Sequence, residues 1–190
     1  NLTVAVWGTT FISTKILINN GLSPQEMFLL RFIIAYIGIW FISPRKIFSD
    51  SIKDELTMFA AGLTGGTLYF LTENTALKFT QTTNVAFILC ATPLLTTGLS
   101  LLTDRNNKVS HNWLLGSIAA LIGVAILIFN GSVILKLSPI GDFLTLAAAL
   151  SWAFYSLIIN KLSKKYRSIF ITRKIFFYGT LGILPAFIIH

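Results

Sequence analysis

Long uninterrupted apolar runs constrain this chain more than any other feature. Residues at about 2–20, 26–42, 56–77, 83–102, 112–130 and 141–161 form six blocks that approach or exceed the ~18–20 residues needed to cross hydrocarbon, and a seventh begins near 174. Inside a bilayer no water is at hand to satisfy the backbone, so each block is expected to be an α-helix. The alternating pattern of a membrane barrel is absent. Only 12% of the residues are charged and 54% are hydrophobic, whereas a soluble domain carries about 25% charged residues. The expected fold is an all-α membrane protein, a multi-span helical bundle whose principal partner is the lipid bilayer.

The separators have turn chemistry: Asn19-Asn20-Gly21, Ser43-Pro44, Asp104-Arg105-Asn106-Asn107 and Ser138-Pro139-Ile140-Gly141. Even-numbered connections hold Arg45, Lys46, Lys53, Arg105, Lys108, Lys161, Lys164, Lys165, Arg167, Arg173 and Lys174, against Lys78 and Lys136 in the odd-numbered ones. By the positive-inside rule the N-terminus and the even connections face the cytoplasm, as expected of a multi-pass protein of the cell membrane, with a bacterial inner membrane the natural setting. The net charge of +8 is thus an orientation signal, and no basic stripe on a soluble module points to nucleic acid. Cys90 is the one cysteine, so neither a disulfide framework nor a thiolate metal site can form within the chain. Leu2–Ile18 is not read as a signal peptide, since Lys15 lies too late for an n-region and no small-residue cleavage site follows. Both ends of the chain, Asn1 and His190, fall in apolar runs, and a longer protein is expected.

Small residues mark faces where helices could approach closely: Gly62 and Gly66 beside Ala61 and Gly65, and Gly116, Ala120 and Gly123 further on. Pro93 sits inside the fourth span with Thr92 before it and Thr96 and Thr97 a turn later. A proline removes one helical hydrogen bond, and threonine hydroxyls can satisfy the freed carbonyl, so a kink is expected there. It would serve either as a transport hinge or as a packing bend.

The sixth span reads Gly141-Asp142-Phe143-Leu144, then Ala147-Ala148-Ala149-Leu150-Ser151-Trp152-Ala153-Phe154-Tyr155. This resembles the start of the second repeat of the EamA family in the drug/metabolite transporter superfamily. Trp7-Gly8 with Phe11, Arg31-Phe32 with Ala35, Ala76-Leu77 with Thr80, Thr82-Thr83-Asn84 and Pro93-Leu94, and Gly116 with Gly123-Val124 resemble successive helices of the first repeat. Asp104-Arg105 stands where the family commonly has an acidic residue followed by a basic one. The resemblance implies a ten-helix inverted-repeat transporter fold of which about seven spans are present: a first five-helix repeat at 2–130 and the start of a second at 141–190. It implies transport of small metabolites, amino-acid-like or other small organic solutes, with export by alternating access the expected mode.

Lys15, Arg31 and Glu73 are ionisable residues inside spans, where a charge at the helix centre costs at least ~2.5–3.5 kcal/mol and so avoids lipid. At ~1.5 Å per residue all three lie roughly 7 Å from the external end. Glu73 follows Tyr69 by one turn and lies at i+7 and i+11 from Gly66 and Gly62, while Lys15 shares a face with Trp7 and Phe11. Together with Trp152 and Tyr155 these residues are the candidate substrate site, a polar cavity edged by aromatic rings; the competing reading is an interfacial ion pair with snorkelling cations and ordinary core aromatics. Pro93 is the candidate hinge. No catalytic constellation, metal motif, nucleotide loop or other cofactor signature is present, so an enzyme is not expected and ATP-driven transport is not supported. Coupling to a proton or another gradient, exchange and facilitated diffusion all fit. The alternatives of a different class are a seven-helix receptor and an intramembrane enzyme.

Overall fold

The computed structural model describes residues 2–42, 47–103, 110–129 and 138–188, without the side chains of residues 2–8, 124, 127–129 and 186–188. Trp7's side chain, the Asp104-Arg105 pair, and Arg45, Lys46, Lys108 and Lys136 from the charge count lie outside the described residues. The described chain is helical, with no strand: α1 (Leu2–Asn19), α2 (Pro24–Ile42), α3 (Ile52–Ala61), a π-helical segment (Gly62–Leu68), α4 (Tyr69–Phe79), α5 (Thr82–Leu89), α6 (Thr92–Thr103), α7 (His111–Phe129), α8 (Pro139–Leu162) and α9 (Ser168–Ile188). Three stretches, Pro24–Ile42, Thr82–Thr103 and Pro139–Leu162, are long and apolar enough to cross a membrane. Ile34, Phe41, Ile126 and Phe143 turn outward and are at least two-thirds exposed, as suits contact with hydrocarbon.

The turn residues act as their chemistry requires. Leu22 N–H donates to the Leu17 carbonyl (3.2 Å) and Gly21 N–H to that of Ile18 (3.1 Å), with Gly21 at φ 101°. This left-handed C′ glycine closes α1 in a Schellman motif. Ser23 and Glu26 form a reciprocal capping box at the start of α2, with contacts of 2.8 and 3.2 Å. Ser51 caps α3 by accepting from Asp54 N–H at 3.2 Å.

The fourth span divides at Cys90–Ala91 into α5 and α6. Pro93 cannot donate to the Leu89 carbonyl four residues back, and the Thr92 hydroxyl takes over that acceptor at 2.6 Å. The expected kink is therefore a break in the helix, repaired by the threonine beside the proline.

The helix from α3 to α4 packs on both α8 and α9, and glycine makes this possible. A Cβ on Gly62 would lie 2.5 Å from the Tyr178 Cβ, one on Gly66 3.1 Å from the Gly179 Cα, and one on Gly182 2.3 Å from the Thr67 hydroxyl. The small face expected around Gly62 and Gly66 thus meets small residues of α9. The second expected face does not behave this way: a Cβ on Gly116 or Gly123 would meet nothing within 4 Å. Gly141 fits against Thr80, whose backbone N and Cβ leave no room for a larger residue, and the Thr80 hydroxyl donates to Asp142 Oδ1 at 3.0 Å.

At the opposite end, Asp54 accepts from Lys165 and from Tyr166, while Glu55 accepts from Lys174, Tyr178 and Ser49 N–H. The sequence placed Arg173 and Lys174 in a solvated connection. Instead the connection shrinks to 163–167, and both residues are buried in the second turn of α9. The Arg173 guanidinium lies 5.1 Å from the Trp40 ring centroid and 5.4 Å from that of Phe170. The apolar stem of each cation packs in the bundle while its charge is met by rings or by a carboxylate.

Candidate functional site

The π-helical segment sets which residues face inward. Its longer i→i+5 loops turn the chain less per residue than an α-helix, so residues on either side of it lose their α-helical register. Gly62 and Gly66 face α9, Gly65 faces the Tyr155 ring on α8, and the Tyr69 ring lies 4.7 Å from that of Trp152 of α8, tilted by 53°. The single face expected for Gly62, Gly66, Tyr69 and Glu73 is thus divided between α9 and α8. Polar side chains brace the segment: Ser151 Oγ donates to the Thr64 carbonyl (2.8 Å) and Thr67 Oγ1 to that of Gly179 (3.0 Å). A Cβ on Gly65 would stand 2.2 Å from a Tyr155 ring carbon, so glycine there lets Tyr155 lie flat on the helix. Tyr155 in turn supports Trp152, at 4.9 Å between centroids.

This arrangement leaves a cavity of about 570 Å³ walled by Phe11 of α1, Tyr69 of α4, Ala86 and Leu89 of α5, Cys90, Thr92, Pro93, Thr96 and Thr97 around the helix break, Trp113 of α7, and Trp152 and Ser156 of α8. The size lies within the ~300–1,000 Å³ of small-molecule sites. Among the described residues no charged side chain lines it. Four of the wall residues are aromatic, and the rest of the wall is apolar or hydroxylated.

Phe11, Tyr69, Pro93 and Trp152 meet at this cavity. Tyr155 stands behind Trp152 and is not part of the wall. Glu73 is buried, 4% exposed, and accepts a hydrogen bond from Tyr69 Oη at 2.8 Å. It therefore connects to the cavity through the tyrosine. The sequence placed Lys15 and Arg31 with Glu73. Lys15 Nζ instead donates to the Leu77 carbonyl and, at 3.2 Å, to that of Thr80, where a cation meets the negative end of α4. Arg31 acts on Glu73 through space; the hydrogen bond Glu73 accepts comes from Tyr69. Asn74, next along α4, is 1% exposed with neither amide atom hydrogen-bonded, so this stretch holds two buried polar side chains where apolar ones would pack more cheaply.

The sequence reading missed Trp113, Cys90 and Ser156 as wall residues and treated Thr92, Thr96 and Thr97 only as repair for the proline. Part of the signal was present: hydroxyl residues at i and i+4, Thr92 and Thr96, place polar atoms on one helical face of an otherwise apolar span. Among the described residues no group of three or more His, Cys, Asp or Glu could hold a metal.

Residues 2–129 match the model of the EamA-like transporter family. The chain is 26% identical over 188 residues to an uncharacterized transporter of Archaeoglobus fulgidus, an alignment that covers 97% of this chain and 64% of that protein. The chain thus spans less than two-thirds of that relative's length. No solved structure matches it.

Proposed function

The chain belongs to the EamA-like transporter family, and from that membership we propose that it is the larger part of a transporter that moves small organic solutes across the cell membrane by alternating access, in the direction of export. In this reading residues 2–130 form a first five-helix repeat and 141–190 open a second one of inverted topology, with the N-terminus in the cytoplasm of a bacterial cell. The observation that carries the proposal is the cavity at the break between α5 and α6. Its aromatic wall draws Phe11 and Tyr69 from the first repeat and Trp152 from the second, as a site between two repeats requires. The Pro93 break is the candidate hinge, because the proline leaves the Leu89 carbonyl without its backbone donor and a side-chain hydroxyl takes that place. Glu73 is the candidate site for a coupling proton, joined to the cavity by Tyr69.

The test is uptake and efflux of a broad solute panel by the full-length protein in liposomes, with and without a pH gradient. Saturable movement of at least one solute class is expected. Failure of every class, with the protein folded and inserted, would overturn the proposal.

A further inference from the structure

The hydroxyl groups on the cavity wall have already committed their protons. Thr92 Oγ1 donates to the Leu89 carbonyl (2.6 Å), Thr96 Oγ1 to that of Thr92 (2.9 Å), Thr97 Oγ1 to that of Pro93 (3.0 Å) and Ser156 Oγ to that of Trp152 (2.8 Å). A carbonyl has no proton, so the direction of each bond is fixed, and a hydroxyl has one proton to give. Tyr69 Oη directs its own proton to the Glu73 carboxylate. What these five hydroxyls offer a solute is lone pairs.

The rest of the wall agrees with this polarity. The rings of Phe11, Trp113 and Trp152 line the same wall, and an aromatic face carries negative quadrupole density. The nearby cations are engaged elsewhere: Lys15 on the Leu77 and Thr80 carbonyls, and Arg31 outside the wall. The donors among the described wall residues are the uncharged indole N–H groups and the Cys90 thiol, a weak donor.

From this polarity we propose, on the basis of the transporter reading above, that the cavity selects solutes carrying a hydrogen-bond donor on an apolar or aromatic body, namely primary amines and their ammonium forms, and disfavours organic acids. An ammonium group brings three donors and a positive charge to threonine oxygens and ring faces. A carboxylate brings only acceptors to the same surfaces and is desolvated without a partner. An amino acid carries both groups and falls between the two.

Four solutes with the same phenyl ring separate the contributions: phenethylamine, phenylalanine, 3-phenylpropanoate and ethylbenzene, titrated calorimetrically into the full-length protein in nanodiscs. Phenethylamine is expected to bind about tenfold more tightly than phenylalanine, and 3-phenylpropanoate more weakly than either, since a hydrogen bond to a charged group commonly carries a factor of this size. The double variant Thr96→Val, Thr97→Val keeps the side-chain shape and removes the lone pairs. It should weaken phenethylamine about tenfold and leave ethylbenzene unchanged, which also shows that the cavity is intact. Equal or tighter binding of phenylalanine or 3-phenylpropanoate overturns the inference, and so does a double variant that weakens phenethylamine no more than ethylbenzene. If none of the four binds while the liposome panel shows transport of another solute, the inference fails and the transporter reading stands. If no solute of any class is moved, the transporter reading fails and the inference with it.

Discussion

Tyr69 Oη donates to Glu73 Oε1 at 2.8 Å across one turn of α4, with both side chains at least 96% buried. The tyrosine ring forms part of the cavity wall, so one side chain touches both the cavity and the buried acid. A proton bound at Glu73 would remove the charge that orients the tyrosine hydroxyl, and through it would change the polarity of the wall.

Glu73→Gln keeps the shape and removes the titrating group. If Glu73 carries a coupling proton, this variant should lose pH-driven transport and keep solute exchange, measured as counterflow in the same liposomes. Tyr69→Phe removes the hydroxyl through which Glu73 reaches the wall and should weaken the pH response as well as change solute affinity. Normal pH-driven transport by Glu73→Gln would leave Glu73 as a structural partner of Tyr69. A parallel fall of both activities with protein yield would lead to the same conclusion.

Gly65→Ala tests the support of the aromatic wall. The new Cβ would sit 2.2–2.6 Å from three atoms of the Tyr155 ring, and overpacking of this kind costs about 1–3 kcal/mol. A lower melting temperature and a changed Trp152 environment in fluorescence are expected. Gly116→Ala, with open space around it, is the matched control and should melt as the wild type or slightly higher.

The contacts flanking α3 predict an acid limit to stability. Hydrogen bonds from Lys165 and then Tyr166 hold the Asp54 carboxyl at about 2. Burial pushes the Glu55 carboxyl up, but hydrogen bonds from Lys174, Ser49 and Tyr178 outweigh it and bring it to about 2 as well. Both groups bind protons more tightly in the unfolded chain than in the folded one. Their contribution is therefore fully present above the unfolded carboxylate range of about 4 and disappears as pH falls from there towards 2. Melting temperature in detergent should drop through this window, and the drop should be shallower in Glu55→Gln. An identical pH profile in that variant would remove Glu55 from the explanation.

Orientation is testable with single cysteines in a Cys90→Ala background. Lys53 and Gln81 are exposed at opposite ends of the α3–α4 helix. An impermeant thiol reagent added outside intact cells should label Gln81→Cys and not Lys53→Cys. The reverse pattern would invert the topology.

The apolar blocks made the helices legible, because span length and backbone satisfaction leave a bilayer segment no other structure. Gly62 and Gly66 were legible as a close-packing face, because glycine spacing reports how near another backbone can come. The π-helical segment was not legible. It depends on Ser151 and Thr67 bracing backbone groups across 87 and 112 residues of sequence, and no local pattern records such partners. That segment also took Tyr69 off the glycine face and onto Trp152 of α8, and Lys15 bonds the Leu77 and Thr80 carbonyls instead, so a depth argument that brought Lys15, Arg31 and Glu73 to one level did not bring them into contact. Arg173 and Lys174 were misplaced for a related reason: a charge count treats every cation as solvated, and here the rings of Trp40, Phe170 and Phe48 and the Glu55 carboxylate receive them inside the bundle.

Cys90, the one cysteine of the chain, lies on the cavity wall and reports directly on whether this cavity holds the transported solute. The measurement is the rate of Cys90 alkylation by a maleimide in the full-length protein, with increasing amounts of a solute that the liposome panel shows to be transported. The predicted result is slowing that saturates at the concentration giving half-maximal transport, and its loss when Trp152→Ala removes part of the wall. An alkylation rate unchanged by every transported solute would contradict the assignment and place the solute path elsewhere in the bundle.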